Sequence, residues 1–128
     1  MIYNKKIEEL FFDTQHAGVL NCAEPLTVCS RISLEKNKCS ELYIACDEQG
    51  LITQVCFKAL GNPYLIVGFE WLCRKIEHTQ LDAHPCIDYS MIALELSVPK
   101  IHYAAAVLVE TNYRQAIKLL KLRSGEKS

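Results

Sequence analysis

At 128 residues the chain can bury one hydrophobic core and is short for two, so we expect a single domain. Half of the residues are hydrophobic and 23% are charged, as in ordinary globular proteins. The net charge of −1 gives no reason to expect a nucleic-acid partner, because neutralising phosphate groups normally requires a basic surface. The first ten residues are interrupted by charges and contain no apolar run suited to a signal peptide or a membrane span, so we expect a cytoplasmic protein without membrane contact.

The seven cysteines are odd in number and follow no export signal, which favours reduced thiols over disulfides. No Cys-x-x-Cys pair occurs, so the usual zinc-ribbon and thioredoxin-like signatures are missing. The chain also lacks a nucleophile motif, a phosphate-binding glycine loop and paired carboxylates at a telling spacing. We therefore expect a protein that is not an enzyme.

The chain begins with a pattern for one short helix and two strands. Residues 4–12 place apolar side chains at helical spacing, and Gly18 permits a turn after them. Apolar and polar residues then alternate over 26–35 and again over 42–47, which is typical of strands with one buried face.

A third strand follows the turn at residues 47–50. Within it Ile52 is out of phase with Val55 and Phe57, which predicts a β-bulge near residues 53 and 54. Short connections join the three strands, so we expect an antiparallel meander with one face that needs a cover.

The second half of the chain supplies helices for that cover. Asn62-Pro63 is a strong helix start, with an amide that can cap free N–H groups and a proline in the first turn. Residues 64–75 are apolar almost all round, which predicts a buried helix. Helical patterns also cover 78–83 and 89–96, and 99–122 predicts a long amphipathic helix.

Strands followed by helices predict an α+β fold, a three-stranded antiparallel meander with helices packed on one face. No linker or internal repeat divides the chain, so we expect one domain over residues 1–122. Residues 123–128 are polar and predict a frayed tail.

The segment Gly50-Leu-Ile-Thr-Gln-Val-Cys-Phe-Lys-Ala-Leu-Gly-Asn-Pro63 describes a strand that runs through a glycine loop into a helix. With the order of elements, it resembles the IscU/NifU-type iron–sulfur cluster assembly scaffolds, and the block from Leu42 to Gly61 matches without a gap. Tyr3, Ile7 and Gly18 fall where that family has a tyrosine, an aliphatic residue and a glycine. The resemblance implies an IscU/SufE-like fold and a role in iron–sulfur cluster assembly.

The resemblance also implies where a cluster would be held, because the family binds it through three cysteines. Gap-free counting puts the family's Cys-Gly-Asp motif on Lys36-Asn-Lys38, and Cys39 lies three residues after the thiolate position. The second thiolate falls on Asn62, and the third belongs to a His-Cys pair that reads His102-Tyr103 here. The family's chaperone-recognition segment, Leu-Pro-Pro-Val-Lys, is replaced by Leu96-Ser-Val-Pro-Lys100.

These replacements matter because clusters are held mainly by cysteine thiolates, which an amide, a phenol and ammonium groups cannot replace. Protonated Lys36 and Lys38 would also repel a metal ion. We therefore expect no cofactor, and we interpret the chain as a degenerate relative of the scaffolds that acts as a protein-binding or regulatory module. The implied partner is a cysteine desulfurase or another iron–sulfur assembly protein.

Two alternatives stay open. Cys39 could accept sulfur, or hold an iron–sulfur cluster with His102, since nearby ammonium groups favour the thiolate form of a cysteine. His102 and Tyr103 could instead bind a single metal ion. Against both, Cys39 can be a surface cysteine without a role, and His102 can be a first-turn histidine that only forms hydrogen bonds.

The remaining strand and helix cysteines predict packing rather than chemistry. Cys46 and Cys73 lie at core-facing positions and are expected to be small buried hydrophobes. Cys29 and Cys56 lie on the polar face of the two outer strands, about 10 Å apart across the middle strand. That separation is too large for a disulfide.

Overall fold

The computed structural model describes residues 5–35 and 38–124, without the side chains of residues 34–38. Its strands form one sheet, and its longer helices pack on that sheet. The elements are α1 (Lys5–Phe12), β1 (Thr27–Glu35), β2 (Lys38–Cys46), β3 (Ile52–Leu60), α2 (Pro63–Ile76), α3 (Tyr89–Glu95) and α4 (Tyr103–Arg123). The predicted α+β fold is therefore confirmed.

The sheet is the predicted antiparallel meander, with β2 between β1 and β3. Ala45 pairs with Gln54 but Cys46 pairs with Ile52, which leaves Thr53 as the extra residue of a bulge. The bulge returns Ile52 to the core face, where its side chain is fully buried. The predicted bulge is therefore confirmed, and it explains why Ile52 is out of phase with Val55 and Phe57 in the sequence.

Helix α2 starts and packs as its sequence predicts. The Asn62 side chain accepts a hydrogen bond from the backbone N–H of Leu65 at 3.1 Å, and Pro63 is the first helical residue. Ten of the fourteen residues of α2 are buried, so the helix lies in the centre of the molecule. Gly68 allows α4 to come close, because a Cβ there would lie 3.1 Å from Cγ2 of Val109.

Helix α4 crosses β1 and β2 and is tied to them by a buried polar cluster. Asn112 is fully buried; its Oδ1 accepts from the Ser40 hydroxyl at 2.7 Å, and its Nδ2 donates to the Ser30 carbonyl at 3.0 Å. The Ser30 hydroxyl donates in turn to Gln115 at 2.6 Å. Because these polar groups satisfy one another, they fix the position of the helix on the sheet.

The prediction of a helix over 78–83 is wrong for its first half. His78 takes a φ of 68°, and its N–H donates to the carbonyl of Ile52 at 2.9 Å. Gln80 then forms a bridge with Leu51, and only Leu81–Ala83 makes a short 3-10 turn. The backbone groups of this segment bond the start of β3, and that bonding competes with helix formation.

The C-terminal helix is shifted relative to its prediction. A 3-10 turn at Lys100–His102 precedes α4, and α4 ends at Arg123. The Arg123 guanidinium donates to the carbonyls of Cys22, Glu24 and Thr27, so this first residue of the predicted tail is helical and bonded. Residues 125–128 of that tail lie outside the described residues, as does Tyr3.

Candidate functional site

Of the positions that the resemblance assigns to a cluster site, Asn62 lines a cleft between β3, α2 and α4. Here the last residues of β3, the first turn of α2 and the first turns of α4 enclose a cleft of about 120 Å³. Apart from Gly61 and Asn62 its lining is aliphatic: Leu60, Leu65, Ala104, Ala105 and Leu108. A surface of this composition suits an apolar side chain better than a charged ion.

Asn62 belongs to this cleft, but its side-chain oxygen caps α2 through Leu65. The loop before it is tight, since a Cβ on Gly61 would lie 2.9 Å from Cδ2 of Leu65. The amide is therefore held as part of the helix start.

His102 and Tyr103 open the last helix and contact aromatic rings. The His102 ring is centred 5.0 Å from the ring of Tyr64, and the Tyr103 ring 6.2 Å from that of Tyr89. Both residues are partly buried, and neither lines the cleft. The two side chains thus pack against α2 and α3 respectively.

Cys39 lies on the other side of the sheet. It pairs with Ser33 of β1 and with Leu60 of β3, and it is partly buried. The next residue, Ser40, faces α4 through Asn112, so strand alternation puts the Cys39 side chain on the face away from the helices. Cys39 is not among the residues that line the aliphatic cleft between α2 and α4, although its cross-strand partner Leu60 is.

Two predicted residues near Cys39 cannot be placed in this geometry. Lys36 lies outside the described residues, and the side chain of Lys38 is not described. Their effect on the Cys39 thiol stays a prediction.

Comparison with known proteins identifies the family. Residues 2–127 match the family model of the NifU-like N terminal domain. The chain belongs to this family. A crystal structure of a nitrogen-fixing NifU-like protein (N-terminal) from Brucella abortus is similar over 98% of this chain and 95% of that one, with a TM-score of 0.63 and 15% sequence identity. At that identity the likeness shows a shared fold. A search of curated proteins finds no match.

The donor set of this NifU-like domain does not fit an iron–sulfur cluster at the cleft. Among the residues that the structure describes, no three His, Cys, Asp or Glu side chains come together in a way that could hold a metal ion. The cleft itself offers one engaged amide and aliphatic groups, whereas clusters need several thiolates.

The strand and helix cysteines are placed as the sequence predicts. Cys46 and Cys73 are buried, and burial raises the pKa of both thiols. Cys29 of β1 and Cys56 of β3 both pair with Tyr43 of β2, so the middle strand separates them. Burial raises the pKa of these two thiols as well, and for Cys29 a hydrogen bond with Tyr43 opposes the effect. All four thiols are therefore held in the protonated form.

An ionic cluster elsewhere in this NifU-like domain was not predicted from the sequence. Glu70 of α2 is fully buried and contacts His16 and Arg74, with both Nδ1 of His16 and Nε of Arg74 at 2.7 Å from its Oε2. The second ring nitrogen of His16 lies 3.1 Å from Oε1 of Glu77. One signal was present in the sequence: Glu70 is a single acidic residue inside the apolar run 64–73, where a carboxylate requires a partner.

Proposed function

We propose that this NifU-like domain serves iron–sulfur cluster assembly as a protein-binding module, and that it holds no cluster between α2 and α4. The observation that carries the proposal is the aliphatic cleft with its engaged Asn62 side chain. In this proposal the domain is not an enzyme and acts in the cytoplasm, with a cysteine desulfurase or another assembly protein as its partner. None of the helices in the described part of the chain is both long and apolar enough to cross a lipid bilayer.

An exposed apolar side chain of the cleft supports a contact surface. Leu60, which lines the cleft, is 53% exposed. Leu60 thus extends the aliphatic lining of the cleft to the surface, where an apolar side chain of a partner would cover it.

The first test is reconstitution. Purified protein incubated anaerobically with iron, sulfide and a cysteine desulfurase should show no charge-transfer absorption in the visible region. A scaffold of the family that carries its cysteines serves as the positive control. A cluster spectrum at one cluster per chain would contradict the proposal.

The second test is binding of a cysteine desulfurase. Leu60→Glu places a charge at the cleft mouth and should weaken capture at least about tenfold, which corresponds to about 1.4 kcal/mol. Val19→Glu is the matched control, because Val19 is 60% exposed and does not line the cleft. Equal capture by both variants would remove this surface from the proposal.

Sulfur acceptance at Cys39 is the competing proposal. It is favoured by the position of Cys39 beside Leu60, two residues before Asn62. Mass spectrometry after desulfurase treatment would find a persulfide on Cys39, and Cys39→Ser should abolish it while Cys86→Ser, at an exposed cysteine, should not. Sulfur uptake that is equal in Cys39→Ser and the parent would end this proposal.

The third candidate, a single metal ion near His102 and Tyr103, has the weakest support, because both rings pack on aromatic neighbours. Metal analysis of the untagged protein and of His102→Ala would test it. An equal metal content in the two proteins would contradict it.

A further inference from the structure

Residues 13–18, which we call the strap, connect α1 to the loop before β1 and lie along the outer edge of β3. The N–H of Phe57 donates to the carbonyl of His16 at 2.9 Å, and the N–H of Gly18 donates to the carbonyl of Phe57 at 2.8 Å. Ala17 forms a parallel bridge with Phe57 at the same point. The strap thus covers backbone groups that an edge strand would otherwise expose.

Contacts with side chains of α2 and with Glu77 also hold the strap in place. The His16 N–H donates to Oε1 of Glu70 at 3.0 Å, and the His16 ring lies between the carboxyl groups of Glu70 and Glu77, at 2.7 and 3.1 Å. Arg74 bonds Glu70 through its Nε and donates to the carbonyl of Asp13 at 2.6 Å. The buried carboxyl group of Glu70 therefore joins His16 to α2 directly and Asp13 to α2 through Arg74.

The charge state of His16 follows from this geometry. Each ring nitrogen faces a carboxyl oxygen, and an ionised carboxylate can only accept, so the imidazolium is the form that satisfies both contacts at once. A neutral ring would turn one lone pair toward a carboxylate. Burial lowers the pKa of His16, but the hydrogen bonds to Glu70 and Glu77 and their charges outweigh burial, and the pKa is raised above its usual 6.5.

Several other titratable side chains lie around His16, Glu70 and Glu77. On the strap, Asp13 faces Arg74 at 3.5 Å. The Cys73 thiol of α2 and the Cys56 thiol of β3 lie within electrostatic range of the carboxyl groups, and burial raises the pKa of both. His78 lies at 4.0 Å from Glu77 and is exposed.

We propose that the strap is a pH-released cover of the outer edge of β3, held in place while His16 is an imidazolium. The stabilisation is complete below pH 6.5, the pKa of a histidine in an unfolded chain, and is lost as the pH rises through the higher pKa of the folded state. When His16 is neutral, one ring nitrogen keeps its N–H and the other turns a lone pair toward Glu70 or Glu77, so one of the two contacts becomes repulsive. The strap then separates from Phe57 and uncovers its N–H and C=O.

Hydrogen exchange measured by NMR between pH 6 and pH 9 tests the proposal. Protection factors, corrected for the intrinsic exchange rate, should fall with pH at Phe57 and Gly18. The fall should approach about tenfold for each unit by which the folded pKa of His16 exceeds its unfolded value. The amide of Leu42 in the middle strand is the internal reference and should keep its protection, which separates strap release from global unfolding.

Three variants sharpen the test. His16→Gln should show low, pH-independent protection at Phe57, whereas His84→Gln, at a histidine that contacts Tyr113 instead, should keep the fall of the parent. Glu77 is partly exposed, so Glu77→Gln should fold and should move the fall to lower pH. If His16→Gln does not fold, the ring signals of His16 in the parent give its pKa directly.

Constant protection at Phe57 across the pH range would overturn the proposal, and so would a His16 pKa at or below 6.5. Loss of protection at Leu42 together with Phe57 would also overturn it, because the pH effect would then be global. These outcomes are independent of what the cleft binds.

Discussion

The two ends of α2 hold polar side chains in different ways. At the N-terminal end Asn62 uses its amide to cap the helix, and the cleft around it is aliphatic. Toward the C-terminal end Glu70 lies fully buried with His16 and Arg74. The cleft at the end that the family resemblance marks as functional is lined by one amide and aliphatic groups, whereas the end that the resemblance does not mark carries a buried ionic cluster.

Two buried polar clusters of the molecule also differ in charge. The Asn112 cluster between α4 and the sheet is neutral, so it should behave alike at every pH near neutrality. The Glu70 cluster depends on a histidine proton. Variants of each region should therefore differ in size and in pH dependence.

The largest effect is expected for Glu70→Ala. It leaves the His16 ring buried without its main partner and should lower the free energy of unfolding by about 3–5 kcal/mol, measured by urea denaturation. Glu48→Ala, at an exposed turn residue, is the control and should stay within about 0.5 kcal/mol of the parent. A cost below 1 kcal/mol for Glu70→Ala would show that the cluster does not stabilise the fold.

Asn112→Ala should cost about 2–3 kcal/mol, because it leaves the Ser40 hydroxyl and the Ser30 carbonyl buried without this partner. The cost should be the same at pH 6 and pH 9. Urea denaturation at both values checks it, and a strong pH dependence here would break the distinction between the neutral and ionic clusters.

His16→Gln should cost about 2 kcal/mol at pH 6, where it removes two hydrogen bonds to charged groups. The cost should shrink by pH 9, because the raised pKa of His16 means that the parent loses this stabilisation as the pH rises. Denaturation midpoints of both proteins across this range give the answer. A cost that grows with pH would mean that the pKa of His16 is lowered, not raised, in the folded protein.

Asn62→Ala should have the smallest effect, about 1 kcal/mol, because it removes one helix cap at an exposed position. Asn62→Asp keeps an acceptor for the Leu65 N–H and should retain the stability of the parent. Thermal denaturation compares the three proteins. If Asn62→Asp is as unstable as Asn62→Ala, the amide has a role other than capping.

Much of this fold could be predicted from local patterns. The alternation in β1 and β2, the phase change at Ile52 and the Asn62-Pro63 helix start all have local causes, and the structure confirms each of them. The segment at 78–80 could not be predicted in this way, because its backbone bonds to Leu51 and Ile52, which lie far from it in sequence.

The candidate site was predicted less completely than the fold. Counting along the chain placed Asn62 and His102 near helix starts, as found. It could not show that Cys39 projects from the opposite face of the sheet, since that depends on the register between β2 and its neighbours. Nor could it pair His16 with Glu70, which are 54 residues apart.

The sequence by itself determined most of the elements of this protein, their order and the residue types at the positions that the resemblance assigns to a cluster, because periodicity, caps and residue identity are local properties. The tertiary structure alone decided which side chains meet, from the aliphatic cleft at Leu60 to the His16–Glu70 contact. The physical reason is that burial and charge pairing depend on distances in space, which arise only when distant segments pack together.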